Sequence, residues 1–259
     1  MSPVEDPALE RTAELLAGSR RGVAFTGAGI SAESGIPVFR GEGGLWTTMD
    51  PYRVASIAQF RKDPGAYWRY SLENRRTGAE PNPAHRALKA LEDAGIIQAV
   101  ITQNTDGLHQ KAGSGDVIEL HGSSSRVVCF DCAGEFPREE IDRINRAQTP
   151  PPCPGCGGTY LKPTVVLFGE SLPPQALYRA EVEAESADLM LVVGSSLQVY
   201  PAAGIPEKAL EQGASLCIVN AEATPLDARA QAVVTGKAGE ILPRIAIRAA
   251  ALRAAAAAG

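Results

Sequence analysis

Histidine is scarce in this chain. His85, His109 and His121 are the only three among 259 residues, so imidazole acid–base chemistry near neutral pH must fall to one of them. Basic residues are not in excess either. Twenty-five Lys and Arg stand against thirty Asp and Glu, a formal net charge of -5, which argues against a nucleic-acid-binding surface. Long apolar runs are missing. Stretches such as Leu189–Val193 fall far short of the roughly 20 residues a membrane-spanning helix needs, so no membrane association is expected. Met1 to Arg11 is polar and acidic, without the apolar core of a signal peptide. No internal repeat is visible.

Cysteine is also sparse, but four of the five are placed in a pattern. Cys129-x2-Cys132 and Cys153-x2-Cys156 are separated by twenty residues. Each C-x2-C turn lets two thiolates face one ion, and two such turns complete a tetrahedral sulfur shell suited to Zn²⁺. Four thiolates leave no open position, so the ion is expected to be structural. The competing reading is a pair of disulfides or scattered core thiols. Zinc-type pairs without a secretory signal point to a reducing, cytoplasmic setting. Cys217, inside the apolar run Ser215 to Asn220, reads as a buried, inert thiol.

The remaining pattern is that of an α/β chain. A helix is expected over residues 8–17, then a short strand, Gly22 to Thr26, running into glycines. Further apolar runs stand at Ile96–Ile101, Val117–Leu120, Leu189–Val193, Leu216–Val219 and Ala232–Val234, with helical patterns at 84–93, 173–186 and 204–212. Runs apolar on both faces suit strands of a parallel sheet covered by helices on each side. The predicted fold is a doubly wound, Rossmann-like sheet built from residues 1–37, 84–121 and 161–259. Residues 38–83, rich in aromatics, arginine and turn formers, and residues 122–160, with the cysteine pairs, break that rhythm. They are read as two insertions that form a smaller helical and zinc-binding module beside a cleft. The alanine-rich tail, Ala249–Gly259, extends a helix or frays.

After the first strand comes Gly27-Ala-Gly-Ile-Ser-Ala-Glu-Ser-Gly35-Ile-Pro-Val-Phe-Arg40-Gly. Glycines at a strand end let backbone approach a pyrophosphate, and a following helix offers free N–H groups. The third glycine comes six residues after the second, not three, so the ordinary dinucleotide fingerprint is broken. A plain glycine turn is the bland alternative. Among the histidines, His85 opens a helix as a cap or surface residue, and His109 lies in a short polar helix with a structural role. His121 ends an apolar strand, where ligands bind in open parallel sheets; position alone leaves it either catalytic or structural.

The glycine loop closely resembles the cofactor-loop signature of the sirtuins, the NAD-dependent protein deacylases, of bacterial type. Thr102-Gln-Asn-Thr-Asp-Gly107, His121-Gly122, Pro163-Thr-Val-Val-Leu-Phe-Gly-Glu170, Gly194-Ser-Ser-Leu-Gln-Val-Tyr-Pro201 and Val219-Asn220 resemble further sirtuin motifs in the right order, with the cysteine pairs between the right neighbours. The resemblance spans residues 11 to 245. It implies that the acyl oxygen of a modified lysine attacks C1′ of the nicotinamide ribose and nicotinamide leaves. His121 then helps deprotonate a ribose hydroxyl, and water releases lysine and O-acyl-ADP-ribose. NAD is thus consumed as co-substrate.

By the same resemblance, Asn104 orients the ribose and a catalytic water, Gln103 lines the ribose and Asp106 binds the nicotinamide carboxamide. Gly27, Ala28, Gly29 and Ser31 form the cofactor loop. Phe39 covers the vacated nicotinamide site and Arg40 holds phosphates. Gly194, Ser195 and Ser196 meet phosphate and ribose, Asn220 the adenine ribose and Ala238 the adenine. An acyl-lysine protein binds as an added strand along Val165 to Glu170. The Val166 carbonyl accepts the acyl-lysine N–H, Phe168 and Val199 wall the tunnel, and Gly169 and Glu170 complete the strand. Thr105 departs from the branched aliphatic usual beside nicotinamide. Sirtuins favouring charged acyl groups carry a Tyr-x-x-Arg pair; here Ser71 and Asn74 stand in its place, so acetyl is preferred to succinyl. Oligomeric state is not readable, and monomer is the default. The alternatives are a sirtuin-like mono-ADP-ribosyltransferase or a non-catalytic NAD- and zinc-binding module.

Overall fold

The computed structural model describes residues 6–38, 44, 47, 50–75 and 77–258. Helix α1 (Pro7–Gly18) starts where the sequence supplies an N-cap. The Asp6 carboxylate accepts from the Ala8 N–H, with Pro7 at the first helical position. Its buried residues, Leu9, Thr12, Ala13 and Leu16, recur at helical spacing on one face. Strand β1 (Gly22–Thr26) follows, and all five of its residues are buried. The first insertion holds α2 (Pro51–Val54), α3 (Ile57–Lys62) and α4 (Pro64–Asn74). Then come α5 (Pro83–Asp93), β2 (Ile97–Thr102), α6 (Leu108–Lys111) and β3 (Val117–Glu119). The second insertion holds β4 (Arg126–Cys129), β5 (Glu135–Pro137) and α7 (Arg138–Ala147), and β6 (Leu161–Pro163) follows the last cysteine. The chain closes with α8 (Pro174–Ser186), β7 (Leu189–Val193), α9 (Gly204–Glu211), β8 (Ser215–Asn220), β9 (Ala232–Thr235) and α10 (Ala238–Ala258).

Six strands form one parallel sheet in the order β3-β2-β1-β7-β8-β9. This is the doubly wound order, in which the chain reverses direction across the sheet between β1 and β7. Each face carries its own apolar core. On one, Leu16, Leu88, Leu91, Leu242 and Ile245 cover Ala24, Val100, Leu191 and Val219. On the other, Ala180, Ala184, Ile205 and Ala209 cover Phe25, Ile101, Val192 and Ile218. The described part of the alanine-rich tail, residues 249–258, belongs to α10, which packs on α1 and α5. The Arg253 guanidinium donates to the carbonyls of Leu16, Ala17 and Ser19, closing the end of α1. Cys217 is buried in the sheet, and burial pushes its thiol up to about 12.

The second sheet has three antiparallel strands, β5-β4-β6. Its small size and irregular spacing hid it from the sequence pattern. Several of the chain's aromatics gather here. Trp68 of α4 is fully buried against Val127, Cys129, Ile141, Cys153 and Leu161, and its indole N–H donates to the Leu161 carbonyl at 2.9 Å. Phe60 meets Tyr67, Phe130 and Tyr160 edge-on, at centroid separations of 5.5 to 6.1 Å. These contacts join the two insertions into one smaller unit. The Arg138 guanidinium lies 4.8 Å from the Trp68 ring centre and donates to Asp142 at 2.6 Å.

Candidate active site

Most of the cofactor and substrate residues predicted from sequence line one cleft of about 1310 Å³. Its sheet side begins at the point of chain reversal. Gly27, which follows β1, is extended at φ -130, so no left-handed conformation demands glycine there. The demand is steric. A Cβ on Gly27 would lie 2.8 Å from the Gly194 carbonyl oxygen, and one on Gly29 would lie 2.7 Å from the Gly194 Cα. Gly194, after β7, has φ +63, and its own Cβ would meet the Ile30 nitrogen at 2.2 Å. The two strand ends are pressed together, backbone on backbone, and the glycines serve that closeness first. The segment that follows is a short 3-10 helix, Ala28–Ser34, where an α-helix start had been expected. Gly27, Ala28, Gly29, Gly194, Ser195, Ser196 and Asn220 all line the cleft. A glycine-walled cradle at a strand-order reversal fits a dinucleotide.

Beneath the cradle runs a continuous polar network. The Ser31 hydroxyl donates to Asp106 Oδ2 at 2.7 Å and accepts from Asn104 Nδ2 at 3.1 Å. Its one hydrogen is thus committed, so the contact with His85 Nε2 at 3.3 Å is an Nε2–H donation. His85 Nδ1 then accepts from the Asn82 N–H at 3.4 Å, completing a capping box at the start of α5. The cap role expected of His85 holds. The surface role does not, because the side chain is fully buried. His109 is also buried and structural, with Nε2 2.9 Å from the Thr26 hydroxyl and its ring 4.9 Å from that of His85. Burial pulls His85 down to about 4 and His109 to about 3. His85, under Ser31, was the contribution missed from sequence. A histidine in the capping position normally taken by Glu or Gln was its only trace.

Asn104 is nearly buried. It donates to the Gly27 carbonyl at 3.1 Å as well as to Ser31, while its Oδ1 has no partner among the described residues. Asp106 faces the cleft, and its Oδ1 accepts from the Leu108 N–H at 2.9 Å. Gln103 donates from Nε2 to Ser195 at 2.8 Å, tying the β2 end to the β7 end. Its carbonyl oxygen lies 2.9 Å from His121 Nδ1. A carbonyl can only accept, so Nδ1 carries the proton and Nε2 keeps its lone pair. Burial lowers the His121 pKa, and the bond to Gln103 opposes that shift. His121 therefore stands neutral at pH 7, with one basic nitrogen, two residues past the end of β3.

Val166, Phe168, Gly169, Glu170 and Val199 line the same cleft. The Val166 N–H donates to the His121 carbonyl at 2.9 Å, and Phe168 exchanges bonds with Ala55 and Ile57. The Val166 carbonyl accepts none among the described residues. Ser31 lies beneath the wall. Ala238 is buried at the start of α10 and is not among the lining residues. Phe39 and Arg40 fall outside the described residues.

The four cysteine sulfurs all lie within 4.8 Å of one another. Cys129 to Cys156 is 3.8 Å and Cys132 to Cys153 is 3.7 Å. A tetrahedral shell with Zn–S bonds near 2.3 Å places sulfurs about 3.8 Å apart, so the set fits one zinc ion. All four cysteines are free thiols, which rules out the disulfide reading. None of them lines the cleft.

A model of the Sir2 family matches residues 27–201, the stretch that carries both the glycine cradle and the histidine. The chain belongs to the Sir2 family. Among Sir2-like relatives, NAD-dependent protein deacylase 2 of Archaeoglobus fulgidus is 52% identical over 239 residues, covering 92% of this chain and 94% of the relative. The solved structure of a Sir2 histidine-to-alanine variant with deacetylated p53 peptide and 3′-O-acetyl-ADP-ribose superposes at TM-score 0.89 with 38% identity, covering 93% of this chain and 98% of that one. Sir2Af2 bound to a myristoylated histone peptide superposes at 0.82 with 44% identity, covering 96% and 98%. Among the described residues no helix is long and apolar enough to cross a membrane.

Proposed function

We propose that this chain is an NAD-dependent protein lysine deacylase that yields free lysine, nicotinamide and O-acyl-ADP-ribose. The observation that carries the reading is a single cleft with a neutral histidine, its Nε2 unprotonated, bonded through its own backbone to the segment after β6, which the sequence reads as a strand but which makes only an isolated bridge at Phe168, and whose Val166 carbonyl is left open. NAD supplies the electrophilic ribose carbon and the departing nicotinamide. His121 acts as general base toward a ribose hydroxyl. Asn104, fixed by Gly27 and Ser31, presents Oδ1 to the ribose and a water, and Gln103 lines the ribose. Asp106 takes the carboxamide, held in place by Ser31. Gly27 to Gly29 and Gly194 to Ser196 take the phosphates and a ribose, Asn220 and Ala238 the adenosine end. Phe39 and Arg40 complete the cofactor loop.

The acyl-lysine peptide adds as a strand to residues 165–170, with the Val166 carbonyl accepting the side-chain N–H and Phe168 and Val199 walling the acyl tunnel. We divide the chain into a Rossmann-like part (1–37, 84–121 and 161–259) and a small module (38–83 and 122–160), to which β6 contributes a strand. Four thiols set for zinc favour a reducing, cytoplasmic setting. Acetyl is the favoured acyl group. Longer unbranched chains are a second reading, because the cleft runs past Phe168 to Tyr67 and Tyr70 and a Sir2 relative holds a myristoylated peptide.

The test is incubation with NAD and one peptide carrying different acyl groups, followed by mass spectrometry. O-acyl-ADP-ribose in step with deacylated peptide is expected. ADP-ribose attached to protein, without O-acyl-ADP-ribose, would replace the reading with a mono-ADP-ribosyltransferase.

A further inference from the structure

Lys162 is almost completely buried, its side chain 5% exposed, in a place where an unpaired ammonium is costly. It stands in β6, opposite Val128 of β4. Its ammonium donates to the Val165 carbonyl at 2.5 Å and to Glu170 Oε2 at 2.9 Å. The same Glu170 oxygen accepts from the Leu167 N–H at 2.7 Å. Burial pulls the lysine pKa down, and the glutamate opposes this.

The peptide units involved give the pair its meaning. The Val165 carbonyl shares a planar unit with the Val166 N–H, which bonds to the His121 carbonyl at 2.9 Å. The Leu167 N–H shares the next unit with the Val166 carbonyl. In a trans peptide the N–H and C=O point in opposite directions, so fixing one fixes the other. Glu170 therefore sets the direction of the Val166 carbonyl without touching it. A carboxylate at the N–H end also draws electron density toward the oxygen, which strengthens it as an acceptor. Lys162 fixes the unit before it in the same way. Glu170 lines the cleft, but its Oε2 is committed to Lys162 and the Leu167 N–H.

We infer that Lys162 and Glu170 form a positioning pair that aims and polarises the Val166 carbonyl for the acyl-lysine N–H. This deepens the deacylase reading and rests on it. The pair bonds to the peptide units on either side of Val166, so its effect belongs to peptide recognition.

The experiment uses zinc-loaded full-length protein and two probes: an acetyl-lysine peptide, and the same peptide with oxygen in place of the side-chain N–H. Glu170→Gln keeps shape and an acceptor but loses the charge. Lys162→Met keeps the stem but loses the ammonium. The double variant leaves a neutral pair and covers the case in which Lys162→Met strands a buried carboxylate and fails to fold. Wild type should bind the amide peptide about tenfold more tightly than the ester peptide, as a hydrogen bond to a polarised acceptor implies. In Glu170→Gln and in the double variant that preference should shrink toward unity, with peptide KM raised more than kcat is lowered and ADP-ribose affinity unchanged. An undiminished amide preference would overturn the pairing role. So would a parallel loss of ADP-ribose and peptide binding, which marks general damage. Wild type that binds neither peptide would instead sink the deacylase reading, and the pair's role with it.

Discussion

In the six-stranded sheet, β1 and β7 bury all ten of their residues, and helices on both faces close continuous apolar cores. In the three-stranded sheet, β4 buries only Val127 and Cys129, and the exposed Arg126 and Glu135 pair across its edge. What that sheet lacks in apolar area it makes up with four sulfurs, the Trp68 cluster and the buried Arg138–Asp142 pair. Burial of one large aliphatic side chain is worth about 1.5–3 kcal/mol, and the large sheet holds dozens of apolar residues. A structural zinc site alone is worth about 10–16 kcal/mol. One half is thus stabilised by many small contributions and the other by one large one, and the cleft lies where they meet.

The strongest way to break that contrast is to remove the metal. Cys153→Ser should lose zinc, the ordered environment of Trp68 and deacylation together, while the large sheet keeps its far-ultraviolet signal. Metal analysis, near-ultraviolet dichroism and turnover check it. A metal-free protein that stayed folded with normal turnover would refute the structural role.

The next largest effect is expected at the sheet's carboxyl edge. His121→Ala should cost about 10²–10⁴-fold in turnover, while ADP-ribose still binds, because the glycine cradle does not depend on the imidazole. Near-normal turnover would reject His121 as the base.

Legibility followed the same divide. Every strand of the large sheet was visible in the sequence as an apolar run, most clearly where both faces are buried, as in β1 and β7. Four helices, expected at 8–17, 84–93, 173–186 and 204–212, lie within one residue of those bounds, and capping at Asp6 and Asn82 sets the starts of two of them. The three short strands of the small sheet left no such trace, since each is three or four residues long and the zinc knuckles, not periodicity, organise them. At the site, His121 and Asn104 were legible as motif members. His85 was not, because its role depends on a contact with Ser31 across 54 positions of chain. The Lys162–Glu170 pair was hidden because its message is carried by backbone.

Acid should weaken the large half through its buried histidines. In an unfolded chain His85 and His109 gain protons near pH 6.5. In the fold they stay neutral down to about 4 and about 3. Stability is therefore complete above pH 6.5 and is lost progressively as pH falls toward 3, levelling once both states are protonated. Between pH 7.5 and 5, above the range of most carboxylates, the loss should be on the order of 2–4 kcal/mol. Denaturant midpoints of zinc-saturated protein measure it. A midpoint unchanged across that interval would show that burial does not hold these rings neutral.

The smallest expected effect is a choice between substrates, made by the small half. A succinyl chain carries its carboxylate past the tunnel toward α4 and α7, and it needs a cation there. Ser71 and Asn74 offer none: Ser71 accepts from Arg138 at 2.6 Å, and Asn74 donates to the Tyr70 carbonyl. Arg138 is held by Asp142, and Arg69 lies 3.6 Å from Asp63. Arg76 falls outside the described residues. Arg75 bonds to Asp142 and, at 2.9 Å, to Glu139. The cations nearest Ser71 and Asn74 are thus already paired, and a succinyl group seated there would have to displace one of their carboxylates or reach along α7 to Arg143 or Arg146, which also line the cleft and have no carboxylate partner among the described residues. The easiest to displace is Glu139, whose side chain is 69% exposed. Acetyl peptide should therefore exceed succinyl peptide in kcat/KM by about tenfold, the worth of one charge-assisted hydrogen bond. Glu139→Gln, which frees one side of Arg75, should narrow that ratio without changing turnover of the acetyl peptide. A higher kcat/KM for the succinyl peptide in the unmodified protein would overturn the assignment, and loss of that preference in Arg75→Ala would identify Arg75 as the residue that receives the charge.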